Sequence, residues 1–235
     1  MKRKEELKMK IVHRILGFIS AIAFILILLI TSFEIACYSD FGWYQKEYEK
    51  YGVLSELEME MEDAMEVTHE MMDYLRGDRE DLVVYTTVDG VEREFFNDRE
   101  KAHMVDVKNL FLGGLDLRLG AGCVFVAAIA VLVFSKGDWK KILPQSFIWG
   151  LAGFIGFMAI FAILCVSDFT KYFTIFHEIF FDNDLWILDW RTDLLIRMLP
   201  EGFFADMVVR IGIIFVSFLV FSLVGSIVVL KKQKN

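Results

Sequence analysis

Four apolar runs, at residues 15–33, 117–134, 147–166 and 208–230, constrain this chain more than any other feature. Each approaches or exceeds the roughly 20 residues that a helix needs to cross a bilayer. The second is the weakest, because Arg118 intrudes at one end, and three spans with one interfacial segment is the alternative to four. Composition agrees: 56 % of residues are hydrophobic and the mean hydropathy is +0.47, too apolar for an ordinary soluble domain. The expected fold is mainly α, with four transmembrane helices and a small extracytoplasmic α+β cap between the first and second.

Lysine and arginine set the expected orientation, since they accumulate on the cytoplasmic side. Lys2, Arg3, Lys4, Lys8 and Lys10 precede the first run, Lys136, Lys140 and Lys141 separate the second from the third, and Lys231, Lys232 and Lys234 follow the last. All three groups fall on one face of a four-span topology. The other two connections are acidic: residues 38–109 hold 20 Asp/Glu against 8 Lys/Arg, and residues 167–206 hold 8 against 3. The expected layout is a cytoplasmic N-terminus at 1–10 and transmembrane helices at 11–37, 110–135, 146–166 and 207–230. Between them lie an extracytoplasmic cap at 38–109, a cytoplasmic loop at 136–145 and an extracytoplasmic active-site loop at 167–206, with a cytoplasmic tail at 231–235. A cleaved signal fits poorly, because the first run exceeds the 7–15 residues of a signal core. Glu34 also stands where a lipoprotein cleavage site before Cys37 wants an aliphatic residue.

Cys37, Cys123 and Cys165 form no CxxC or ligand-like spacing, so neither a structural zinc nor a disulfide framework is expected. Small apolar packing residues are the plainer reading. No repeat, phosphate-binding glycine loop or nucleophile elbow occurs, and no nucleic-acid partner is expected.

Along the cap, residues 38–51 are aromatic and polar, as at a headgroup interface. Leu54, Leu57, Met61, Ala64, Thr68, Met72 and Leu75 then recur every three or four residues, which predicts one amphipathic helix ending near Gly77. His69 within it reads as a surface or packing histidine. Residues 82–88 and 91–96 flank Asp89-Gly90, a hairpin turn signal. Residues 100–112 read as a helix returning to the bilayer, with His103, Asp106 and Val107 on one face. Glu34, Asp116, Arg118, Asp168 and Arg210 all lie near the outer ends of the four spans. Taken together, they point to a polar cavity opening outward between the helices, against the simpler reading of snorkelling to the headgroups.

The stretch 176–204 is the candidate working surface. A connection between membrane helices needs only a turn and a few polar residues. This one mixes His177, Asn183, carboxylates and two arginines with Trp186, Trp190 and several phenylalanines. Thr192-Asp193 predicts a helix start, 194–199 a short interfacial helix, and Pro200 its end. Two histidines, His103 and His177, each near carboxylates and both at the outer membrane edge, are candidate acid–base groups.

The string His103-Met104-Val105-Asp106-Val107-Lys108 carries a resemblance, as does His177-x-x-Phe180-Phe181-x-Asn183-Asp184-Leu185-Trp186. The second continues through Thr192-Asp193-x-Leu195-Ile196 to Met198-Leu199-Pro200. Together they resemble the bacterial lipoprotein intramolecular transacylase family, departing from it at Trp190, where the family pattern has proline. The resemblance implies a membrane acyltransferase that moves the sn-2 acyl chain of an S-diacylglyceryl-cysteine lipoprotein onto the α-amine of the same cysteine. It implies His103 and His177 as the essential pair, and it calls for neither cofactor nor metal. The expected partners are the modified lipoprotein N-terminus and membrane lipid, and a monomer is expected.

That chemistry suits these side chains. Amine attack on the ester carbonyl closes an eight-membered ring, so orientation is a main task. The amine has a pKa near ~8 and must lose a proton, which a neutral imidazole accepts. In the expected assignment His177 is base and acid and His103 polarises the carbonyl, although the reverse is equally compatible. Asp106 or Asp184 would fix an imidazole tautomer, Asn183 would donate to the carbonyl, and Trp186, Glu34, Arg118 and Arg210 would line the cavity or meet the headgroup. The alternatives are a metal-dependent membrane hydrolase using the same histidines, or a non-enzymatic membrane interaction protein.

Overall fold

The structure, a computed structural model, describes residues 2–233, without the side chains at 2, 157, 161, 162, 165 and 166. The thiol of Cys165 and the tail lysine Lys234 therefore lie outside the described residues. The elements are α1 (Lys2–Tyr38), α2 (Gly42–Tyr51), α3 (Val53–Leu57), α4 (Met61–Arg76), β1 (Tyr85–Val88), β2 (Val91–Glu94), α5 (Asp98–Phe134), α6 (Trp139–Ser167), α7 (Phe169–Phe180), α8 (Leu194–Met198) and α9 (Glu201–Lys232). Among the described residues four helices, within α1, α5, α6 and α9, are long and apolar enough to cross a membrane. The protein is a mainly α, multi-pass membrane protein. The chain forms two compact units, one of Met1–Phe33, Asp116–Val166 and Ile211–Asn235, the other of Glu34–Leu115 and Ser167–Arg210.

The first unit is built from the apolar parts of the long helices. Its core holds Ala21, Ile25, Phe147, Leu151, Phe215 and Leu219, and Phe24 stacks on Phe125 with ring centroids 5.4 Å apart. Its outward residues are also apolar, as at Val126, Phe134 and Phe221, because lipid rather than water is the solvent there. Small residues set the approach of α1 to α6. A Cβ placed on Gly17 would stand 2.5 Å from Ser146 Oγ and 2.6 Å from Ile142 Cγ2, and one on Gly150 would stand 3.4 Å from Ala21 Cβ.

The second unit has a core of its own. Tyr44, Tyr48, Leu57, Phe95, Phe96 and Met198 are almost wholly buried, and the Tyr48 hydroxyl is hydrogen-bonded to Thr68 Oγ1 at 2.7 Å. The single amphipathic helix expected over 54–75 is two helices, α3 and α4. The chain breaks at Glu58, where φ is 50°, Met59 N donates to Leu54 O, and Asp89 N donates to Glu58 O. That last bond comes from the hairpin turn, a tertiary partner that periodicity does not register. The interface-like stretch before it is helical too, as α2. The hairpin forms as expected but with shorter strands, Tyr85 pairing with Glu94 and Val88 with Val91. Asp89 and Gly90 both have positive φ, 54° and 66°, as a two-residue primed turn requires.

The seam at Gly17 is directly testable. Gly17→Leu should lower stability by about 1–3 kcal/mol, since overpacking a close helix contact displaces its neighbours. Equilibrium unfolding of the purified protein in mixed detergent micelles measures the loss.

Candidate active site

Both histidines lie in the second unit, on different helices. His177 sits in the last turn of α7, whose start is capped by Asp168 Oδ1 accepting from Lys171 N at 3.1 Å. Segment 169–180, expected as loop, is helical, and this puts Phe173 one turn before His177. The His177 Nδ1 lies 2.7 Å from the Phe173 carbonyl oxygen. A carbonyl only accepts, so Nδ1 carries the proton and Nε2 keeps its lone pair. The sequence-based expectation gave this orienting role to Asp106 or Asp184; the partner present is a main-chain oxygen.

Aromatic rings surround that imidazole. Phe173 meets it edge-on at 4.5 Å between centroids, Phe181 lies at 5.5 Å, and the Trp186 indole stacks on it at 4.9 Å with an interplanar angle of 29°. His177 is 9 % exposed. Burial pushes its basicity below the ordinary imidazole value of 6.5, and the Phe173 hydrogen bond offsets this only in part.

His103, 7 % exposed, faces it from the second turn of α5. The two imidazole centroids are 6.2 Å apart, with 34° between the planes. The Phe181 and His103 rings meet in a T-shaped contact with centroids 5.3 Å apart. The buried Nδ1 of His103 has no hydrogen-bond partner among the described residues. A buried polar atom without a partner is costly and calls for an explanation, a ligand's group among them.

A loop following α7 completes the wall. Asn183 Nδ2 donates to Asp106 Oδ2 at 2.8 Å, one turn after His103. Asn183 Oδ1 accepts from Leu185 N at 3.0 Å, and Trp186 Nε1 donates to the Asn183 carbonyl at 2.9 Å. These bonds present the indole face to His177. Asp184 is tied to Arg99, by its carbonyl oxygen and by its carboxylate at 3.6 Å. His103, His177, Asp106, Asn183, Asp184 and Trp186 thus come together around one loop. Arg210 stacks on the Trp43 ring at 4.8 Å, Glu34 lies near the end of α1 in the same unit, and Arg118 belongs to the other unit.

Half-buried Asn97 and buried Glu100 went unread from sequence, and buried Asp193 was read only as part of a helix start. The spacing Asn97-x-x-Glu100 is a helix-start signal of the capping-box type. Nothing local in the sequence reveals the bond from Leu195 N to Glu100 Oε1 at 2.6 Å, across 95 positions.

Comparison with known proteins agrees with this architecture. The sequence model of the family described as lipoprotein intramolecular transacylase Lit matches residues 18–204. Solved structures of the membrane-integral lipoprotein intramolecular transacylase Lit from Bacillus cereus share the fold. One is 18 % identical with a TM-score of 0.74, covering 94 % of this chain and 97 % of that chain. A variant of the same protein with a histidine replaced by arginine is 16 % identical with a TM-score of 0.77, covering 100 % and 99 %. A histidine-to-alanine variant is 18 % identical with a TM-score of 0.76, covering 98 % and 99 %. Identities this low carry the fold and not the role of any residue. No curated protein sequence matches the chain.

The electrostatics of the site predict its titration. By NMR of the purified protein, the His177 imidazole should titrate below about 6.5, and Trp186→Ala, by admitting water to the ring, should move the midpoint upward.

Proposed function

The chain belongs to the lipoprotein intramolecular transacylase family and is a transferase, and from that premise we propose the reaction and the groups that carry it. The substrate is an S-diacylglyceryl-cysteine at a lipoprotein N-terminus. The α-amine nitrogen attacks the sn-2 ester carbonyl carbon, forming the amide bond as the bond from that carbon to the glycerol oxygen breaks. The nitrogen's proton passes to His177 Nε2 and from there to the glycerol oxygen, leaving the lyso-form N-acyl lipoprotein. His103 donates a hydrogen bond to the carbonyl oxygen as it gains negative charge.

The observation that carries this reading is the pairing of two buried imidazoles at 6.2 Å, with the His177 proton committed to the Phe173 carbonyl. The commitment favours one of the two assignments that sequence leaves open. A ring whose Nδ1 donates to the main chain offers Nε2 as base, and the ring with the unpartnered buried nitrogen is the donor to the oxyanion. Aromatic walls exclude water, which strengthens both interactions. They also keep an ester and its acyl chains in apolar surroundings while the eight-membered ring closes.

The distribution of lysine and arginine supports the topology. Both termini are cytoplasmic, residues 11–37, 110–135, 146–166 and 207–230 cross the bilayer, and the cap at 38–109 with the loop at 167–206 faces outward. The protein works as a monomer on lipoprotein and lipid in the same leaflet.

In a strain lacking other copies of the enzyme, His177→Ala should slow conversion about 10²–10⁴-fold, the usual worth of an acid–base group. His103→Ala should slow it about 10²–10³-fold, the usual worth of an oxyanion donor. Mass spectrometry of released lipopeptides should then find the diacylglyceryl form with a free amine, and undiminished N-acyl product would refute the role of the residue replaced. Because burial lowers the basicity of His177, the acid limb of the rate profile should fall below the ordinary imidazole value of about 6.5.

A further inference from the structure

Accepting that His103 and His177 act as a pair, we propose that Asn97, Glu100 and Asp193 form a positioning clasp. It holds the start of the His103 helix to the loop that lays Trp186 on His177. None of the three faces the reacting atoms. Their role is to set the geometry of the groups that do.

Glu100 is 0 % exposed and Asp193 3 %. A carboxylate is expensive to bury unless hydrogen bonds surround it, and here the partners are mostly amides. Asn97 N donates to Glu100 Oε2 at 2.7 Å and Glu100 N donates to Asn97 Oδ1 at 3.0 Å, a reciprocal cap on the first turn of α5. The second oxygen, Glu100 Oε1, accepts from Leu195 N in α8. Asn97 also reaches in two directions, its Nδ2 donating to Asp193 Oδ1 at 2.8 Å. Asp193 further accepts from Thr192 Oγ1 at 2.9 Å and from Asp189 N at 2.7 Å. The first turn of α5 and the start of α8 are therefore interlocked through two carboxylates and one amide.

Stability alone does not account for such an arrangement, since apolar residues of the same shape hold two segments together as well as buried charges do. What directional bonds add is register. Glu100 lies one turn before His103 and Asp106 one turn after it. Glu100 and Asn97 engage the end of the loop at 193–195, and Asp106 engages its beginning at Asn183. His103 is thus the middle of a helical stretch pinned on both sides to one loop, and that loop carries the indole stacked on His177.

The test uses the purified full-length protein and a synthetic dipalmitoylglyceryl-cysteine lipopeptide, with products followed by mass spectrometry. Asn97→Asp keeps the cap acceptor but sets a carboxylate against Asp193. Its kcat should fall about 10- to 100-fold with KM little changed, as expected for misplaced groups. Adding Asp193→Asn restores the contact with donor and acceptor exchanged, and should return most of the lost kcat. Glu100→Gln, which turns an N–H toward a backbone N–H, should lower kcat in the same way and serves if Asn97→Asp does not fold. Wild-type kcat in the folded single variants overturns the clasp, as does a rise confined to KM or a double variant no faster than Asn97→Asp. His177→Ala is assayed alongside. If it converts the lipopeptide at the wild-type rate, the paired-histidine reading fails, whereas normal Asn97→Asp with inactive His177→Ala removes the clasp alone.

Discussion

Lipid offers a peptide group nothing to bond with, and this constraint governs the molecule. It forces the apolar runs into continuous helices, lets their outer faces stay hydrophobic, and leaves packing between them to small residues such as Gly17 and Gly150. The same demand is met at several buried polar atoms of the second unit: Tyr48 by Thr68, the His177 Nδ1 by a carbonyl, Glu100 by amides. Among the described residues five buried side-chain atoms lack a hydrogen-bond partner, on Glu47, Thr86, His103, Arg197 and Arg210, and of these the His103 Nδ1 belongs to the imidazole pair.

The candidate site rests on unequal treatment of two similar rings. Both imidazoles are nearly buried, and burial alone would make each a poor base. One is given a fixed tautomer by the helix it belongs to, and the other is left with an open nitrogen. In the proposed reaction, different tasks for chemically identical side chains arise from main-chain geometry, four residues back along α7 in the one case, and from an Nδ1 without a partner among the described residues in the other.

Much of the architecture was legible in the sequence because its signals are local. The apolar runs follow from length, the hairpin from Asp89-Gly90, and the short helix near 194 from Thr192-Asp193. Both histidines were visible, as were the strings carrying the family resemblance. The break at Glu58 was not, because a glutamate in the left-handed region is held there by a bond from the hairpin turn. The tautomer of His177 was hidden for a related reason: its partner is a main-chain oxygen, and residue identity says nothing of that until α7 is known to be helical. Asp106 was singled out as a partner for an imidazole and instead holds Asn183, which needs the fold to be seen.

The indole lying on His177 has a consequence of its own. An aromatic face carries negative electrostatic potential, and a cation above it is attracted by roughly 0.5–2 kcal/mol depending on desolvation. With Trp186 at 4.9 Å, the indole face returns only part of what exclusion of water costs an imidazolium at this position. In the proposed reaction the ring is thereby a reluctant but not a forbidding proton carrier, able to hold charge for the moment between taking a proton and giving it up.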